Sequence, residues 1–292
     1  MGTVIDALHV TRGNWRNRHS ALHLAVAAAK GCLLQAGVAP VDLDLLVNAG
    51  IYRDRNLGEP ALAAMIQQDI GAHPEDPHSD THGTFSFDIA NGACGILTAL
   101  QIADRFLRSH SVSRVLVVTS DADPGRGASE RFPFSPVGAA LLCRWSDGDD
   151  GLGRVHWLSR SDETESFRAT ISFERSRNVL RVQQPAAMEA ELAAVSAQVA
   201  RSCLDEASLN LDDLALIVAT PAHPRYREEL AVALGIPIER IAVAADDRIY
   251  TASLVAALQH EIETIPAGAH VLFTAATGGI VAGAALYHMP AG

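Results

Sequence analysis

An internal duplication constrains this chain more than any other feature. The stretch CLLQAGVAPVDLDLLVNAG, beginning at Cys32, is echoed by CLDEASLNLDDLALIVATP, beginning at Cys203, at an offset of 171 residues. The offset pairs Asp42 with Asp213, Leu43 with Leu214 and Val47 with Val218. Each copy continues into a helical segment ending in Ile-Gly or Leu-Gly, LAAMIQQDIG and LAVALGIP. Each then reaches a strand, an Ala-rich helix (CGILTAL, ASLVAAL), another strand (VLVVTSDA, VLFTAATGG) and a small-residue strand (VGAALLCR, VAGAALYH). Order is repeated as well as composition, the signature of a duplicated unit. The expectation is two similar halves, 1–165 and 166–292, packed face to face, with any site between them built from loops of both.

Within each half, buried β-branched runs alternate with Ala/Leu-rich segments whose apolar residues recur at three and four. Strands are expected at 43–50, 114–122, 214–222 and 270–279. Helices are expected at 19–37, 59–71, 95–109, 186–207 and 226–235, their ends marked by Gly or polar caps. Such alternation makes an α/β protein with helices layered on buried sheets.

The net charge of -11 argues against a nucleic-acid binder, which needs a clustered basic surface. No apolar run reaches membrane-spanning length without a charge, and no basic-then-apolar leader opens the chain. The four cysteines, Cys32, Cys94, Cys143 and Cys203, show no CxxC pairing, as expected of a reduced, cytoplasmic protein. The 12 histidines do not fall at ligand spacing with cysteines or carboxylates, so no metal is expected. GxGxxG, P-loop and GxSxG motifs are absent, and SDGDDGLG (146–153) fails the EF-hand spacing, so a hairpin turn suffices there.

One cysteine stands apart. In FDIANGACGILTAL (87–100) a strand, a turn at Asn91-Gly92 and a helix starting near Cys94 are expected, with small neighbours that let a substrate approach. A thiol at a helix start feels the positive end of the macrodipole, which predicts a lowered pKa. In the second copy Ala252 falls where Cys94 stands, so the repeat itself does not require the thiol. A buried packing cysteine is the alternative, and it is the reading for Cys32, Cys143 and Cys203.

These residues resemble the thiolase superfamily, specifically the β-ketoacyl-ACP synthase III branch. The likeness is carried by FDIANGACGILTAL, by LLVNAG followed by EPALAAMIQQDIG, and by LGIPIERI and ATGGIVAGAALY near the C-terminus, in the family order. The resemblance implies a thiolase-like fold: duplicated βαβαβαββ halves in a five-layer αβαβα arrangement, usually dimeric. It implies that Cys94 is acylated by a coenzyme A or acyl-carrier-protein thioester. It also implies an oxyanion hole from the N–H groups of Cys94 and Gly278. No cofactor is implied; coenzyme A or phosphopantetheine enters as substrate.

The pattern breaks in the second half. Family condensing enzymes carry a His in PHQAN and an Asn in GNTSAAS. Here the first segment reads TPAHPRYREEL: aligning on Pro221 puts Ala222 at the histidine position, and a one-residue shift brings in His223, the base favoured here. The second reads ADDRIYTASL, with Tyr250 nearest the asparagine position and Asp246 and Asp247 just before it. Tyr250 either donates a hydrogen bond or fills the pocket, and an aspartate would orient His223. Phe85 either reaches a partner's pocket or sits in the core. Arg53, Arg55, Arg225 and Arg227 are candidates for docking a carrier protein, against an ordinary solvated surface. The stretch FRATISFERSRNVLRV matches nothing in the family.

The expected function is therefore a β-ketoacyl-ACP synthase III-like acyltransferase in specialised lipid or polyketide metabolism, by condensation or by transfer to oxygen or nitrogen. A weakly catalytic or non-catalytic subunit, paired with a related synthase in a heterodimer, is the alternative to a homodimer. Thioester hydrolysis is a third outcome that no feature selects.

Overall fold

The repeated elements form two sheets with the same strand order. The structure is a computed structural model that describes residues 2–73, 83–160, 167–183 and 188–291. The first half runs β1 (Gly2–Arg12), α1 (Ala21–Ala36), β2 (Leu45–Asn48), α2 (Leu62–Ile70), β3 (Phe85–Asp88), α3 (Gly95–Arg108), β4 (Arg114–Asp121), β5 (Ser129–Glu130) and β6 (Val137–Ser146). Short strands β7 (Gly151–Leu152) and β8 (His156–Ser159) and a hairpin, β9 (Arg168–Glu174) and β10 (Arg177–Gln183), follow. The second half runs α4 (Glu189–Ala207), β11 (Leu214–Thr220), α5 (Pro224–Leu234), β12 (Ile241–Ala242), α6 (Ser253–Glu261), β13 (His270–Thr277) and β14 (Val281–His288).

The first sheet is ordered β3-β2-β4-β6-β1 and the second β12-β11-β13-β14, with β8 pairing on β14 as β1 pairs on β6. Strand β7 pairs with both β1 and β14 and joins the sheets edge to edge. In each half the inner strands, β2 with β3 and β4, and β11 with β12 and β13, are parallel. Crossover helices are therefore needed on both faces.

Those helices give the expected five layers. Helices α1 and α2 cover the outer face of the first sheet, and α4 and α5 that of the second. Helices α3 and α6 lie between the sheets, touching β1 and β4, and β1 and β11, respectively. Helix α3 ends up apolar on the faces turned to both sheets, with Ile96, Leu97, Ala99, Leu100, Ala103 and Leu107 buried. Each Leu or Ile so placed contributes about 1.5–3 kcal/mol relative to exposure. One core fills the space between the sheets, and two others lie beneath the outer helices.

The stretch with no family match is the β9–β10 hairpin, which forms a three-stranded sheet with β5 beside the seam between the halves. Its turn residues Arg175 and Ser176 both take positive φ, 46° and 63°.

Candidate active site at the seam between the halves

The segment before α3 closes as a 3-10 turn over Gly92–Cys94, making Cys94 the N-cap of α3. Ala252 holds the same position on α6, as the duplicated frame requires. Asn91 Nδ2 donates to Thr98 Oγ1 at 2.9 Å, and Thr98 Oγ1 donates to the Cys94 carbonyl at 3.0 Å, which fixes the turn on the helix. The Cys94 N–H donates to the Asn91 carbonyl at 2.9 Å. Its contribution to an oxyanion hole is therefore committed elsewhere in this conformation.

The thiol differs from the sequence expectation. Cys94 is fully buried in the core between the sheets, and its Sγ donates to the Val281 carbonyl, from the second half, at 3.8 Å. Burial pushes its pKa up to about 12, not down. A helix terminus is worth about 0.3–1 kcal/mol, less than one pKa unit, whereas full burial shifts a pKa by about 3–5 units. Cys32, Cys143 and Cys203 are likewise buried, as expected.

The second half lays a polar pair over this turn. Tyr250 Oη and Thr277 Oγ1 lie 3.3 Å apart, and a Cβ on Gly92 would come within 2.5 Å of both. Gly92, at φ +50°, is glycine for that reason. The Tyr250 ring stacks on Phe134 at 4.4 Å and tilts against Phe167 at 5.6 Å. Gly278 follows Thr277, and a Cβ there would overlap Phe167. Tyr250, Thr277, Gly278 and Phe167 form a wall between two cavities. One, of about 370 Å³, reaches Gly92 and is roofed by Ile171 and Leu180. The other, of about 270 Å³, is lined by His223, Asp247, Arg248 and Glu189.

Thus Tyr250, Gly278, His223 and Asp247 meet around one cavity, with Cys94 behind the wall rather than on the cavity surface. At the two candidate histidine positions, Ala222 is buried in the same core as Cys94, and His223 turns the other way. His223 caps α5, with Nδ1 3.8 Å from Glu189 Oε1. Asp246 pairs with Arg12 and Arg248, each at 3.8 Å, and no hydrogen bond or ion pair links it or Asp247 to His223 among the described residues.

Sequence reading missed Glu189, Thr277, Phe167 and Asp121. Asp121 ends β4 fully buried and binds the Tyr250–Thr251 backbone; burial raises its pKa to about 6 against the pull of those hydrogen bonds. A carboxylate closing a run of buried strand residues was the available signal.

The docking arginines do not form one free patch. Arg53 pairs with Asp88 at 3.1 Å and donates to the Gly50 and Tyr52 carbonyls, and Arg227 donates to the Ile238 carbonyl. Both brace loops; Arg55 and Arg225 remain exposed. Phe85 is not in the core: it is 58% exposed on β3, the end strand of the sheet. Among the described residues no helix is long and apolar enough to cross a membrane, and no group of three or more His, Cys, Asp or Glu side chains could hold a metal ion.

Residues 204–289 match the family model for the 3-oxoacyl-[acyl-carrier-protein (ACP)] synthase III C terminal. The chain is 27% identical to a β-ketoacyl-[acyl-carrier-protein] synthase III of Aquifex aeolicus, over 90% of this chain and 82% of the relative. It is also 27% identical to one of Rhizorhabdus wittichii, over 96% and 89%. The fold superposes on the crystal structure of 3-oxoacyl-[acyl-carrier-protein] synthase III from Aquifex aeolicus with a TM-score of 0.80 at 21% identity, covering 98% of this chain and 100% of the other. Xanthomonas campestris OleA, solved with bound lauric acid and lauroyl-CoA, gives a TM-score of 0.79 at 15% identity, covering 99% of each chain.

Proposed function

We propose that this chain is a divergent, β-ketoacyl-ACP synthase III-like member of the thiolase superfamily, an acyltransferase in which Cys94 takes an acyl group from acyl-CoA or an acyl carrier protein and passes it on. The observation that carries the reading is the placement of Cys94. It caps a central helix where the second half closes over it through Tyr250, Thr277 and Val281. Thioester exchange breaks the donor C–S bond and forms the Cys94 C–S bond, with the proton passing to the departing thiol. Gly278 supplies the oxyanion donor, and the Cys94 N–H joins it by exchanging its bond to Asn91.

Transfer to oxygen or nitrogen, rather than malonyl decarboxylation, is the second step this site favours. Ala222 packs beside the Cys94 core where an imidazole would act, and Tyr250 supplies a hydroxyl in place of an amide. A role in specialised lipid or polyketide metabolism follows from that divergence. In a dimer, the exposed Phe85 on β3 supports pairing along that edge.

A second reading, the weakly catalytic or non-catalytic subunit of a heteromeric synthase, is favoured by the full burial and high pKa of the Cys94 thiol. One experiment separates the two. The purified chain is incubated with acyl-CoA, and its intact mass is measured before and after Cys94→Ala. An adduct lost in the variant supports acyl transfer; no adduct, with co-purification of a full-length synthase, supports the subunit.

A further inference from the structure

We infer that a third cavity, of about 610 Å³, between the start of α1, the 124–128 loop and the turn of the β9–β10 hairpin, binds a phosphate ester. It shares no lining residue with the two cavities around Tyr250. Arg55, Arg126 and Arg177 reach it from three separate segments. Among the described residues, none of the three side chains has an ion pair or a hydrogen bond. Asp54 is the one carboxylate among the described lining residues. Its oxygens accept the Ser20 hydroxyl at 2.7 Å and the Ala21 N–H at 2.5 Å, so they are turned to the start of α1. Three guanidiniums facing one engaged carboxylate leave an excess of two positive charges, in a chain whose net charge is -11. A phosphate monoester matches that excess: it carries about −1.5 to −2 charges at neutral pH and three acceptor oxygens. Guanidinium forks pair with such oxygens two at a time.

The frame is set before a ligand arrives. Asn56 is buried, and its Nδ2 donates to the carbonyls of Ala128 at 2.7 Å and Asn178 at 2.8 Å. The Arg55 N–H donates to the Pro124 carbonyl at 2.8 Å. These bonds lock the three arginine-bearing segments together, so binding has only side chains left to order. Beside the arginines, Phe173 is 76% exposed and Leu57 51% exposed, an apolar platform for the organic part of the ester. The turn end of the hairpin, which the acyl-transfer site does not use, thereby gains a task.

Phenyl phosphate titrated calorimetrically into the full chain at low salt and about pH 8, where the monoester is a dianion, tests the site. One saturable site per chain is expected. Its affinity should fall about tenfold in Arg126→Gln and in Arg177→Gln, and stay as in wild type in Arg105→Gln, an exposed arginine of α3 outside the cavity. The altered side chains are exposed, so the fold should hold, and melting temperatures check it. Phe173→Ala should weaken phenyl phosphate and leave inorganic phosphate unchanged. No saturable heat, affinity unmoved by the two cavity variants, or equal loss in Arg105→Gln overturns the inference. Competition names the source of the ester. Displacement of phenyl phosphate by coenzyme A supports a site for the acyl donor's phosphates, and binding that coenzyme A leaves intact supports one for a separate phosphorylated ligand. No arm depends on acylation of Cys94, so failure of the acyl-transfer reading leaves this test standing.

Discussion

The Asp121 carboxylate, at the end of β4, accepts the N–H of Tyr250 at 3.0 Å, tying the first half to the residue that closes over Cys94 from the second. It also accepts from Thr251, through the N–H at 2.9 Å and the hydroxyl at 2.8 Å. Thr119 adds a hydroxyl bond to Thr251 at 2.6 Å. One buried carboxylate thus fixes the entry to α6 and, with it, the height of Tyr250 above Gly92.

Replacing Asp121 separates these effects. Asp121→Ala strands buried donors and should cost about 3 kcal/mol or more in denaturant unfolding. Asp121→Asn gives a cleaner pH signature. A carboxyl whose folded pKa is raised to about 6 adds stability that is complete below its unfolded value and lost as pH rises through 6. The stability of wild type minus that of Asp121→Asn should therefore fall by about 2 kcal/mol between pH 4 and 7. A difference that stays flat or grows over that range contradicts the raised pKa.

The Cys94 thiol should be slow and steeply pH-dependent. With its pKa pushed up to about 12, only about one molecule in 10⁵ carries a thiolate at pH 7. The rate of alkylation by iodoacetamide, followed at Cys94 by peptide mass, should rise about tenfold per pH unit from 7 to 9. A plateau near pH 8 would show a low-pKa thiol.

Sequence legibility divides along physical lines. Helix α1 and strands β4, β11 and β13 follow from periodicity because both faces of each sheet are covered. The duplicated frame foresees Cys94 and Ala252 at equivalent helix starts. The β9–β10 hairpin stays hidden despite its alternating Ala169, Ile171 and Phe173, because Arg175 and Ser176 turn the chain without glycine or asparagine. Helix α5 begins two residues early at Pro224, whose fixed φ suits the first helical turn. Which of Ala222 and His223 faces Cys94 is set by a single residue of loop register. The burial of the thiol depends on what the distant Tyr250 and Thr277 place above it.

Gly92→Ala should act on the site before it acts on the fold. Its φ of +50° disfavours a side chain by about 1–2 kcal/mol. The atoms a Cβ would meet are the ends of side chains, Thr277 Oγ1 and Tyr250 Oη, and both can shift. The expected outcome is a melting temperature lowered by only a few degrees with loss of acyl loading at Cys94. Loading at the wild-type rate would show that the Tyr250–Thr277 pair does not control access.

Phe167→Ala tests what the wall between the cavities does. The ring is only partly buried, packs on Tyr250 and covers Gly278, so truncation should cost about 1–2 kcal/mol. It should also join the 370 and 270 Å³ cavities into one space above the Gly92–Cys94 turn. A maleimide of moderate size should then modify Cys94 at least tenfold faster than in wild type. Cys32, Cys143 and Cys203, walled by other elements, should stay unreactive by peptide mapping. Acyl loading should extend to longer chains in the same variant. If the maleimide rate is unchanged while the protein stays folded, Tyr250 and Thr277 alone seal the thiol, and the acyl chain does not enter past Phe167.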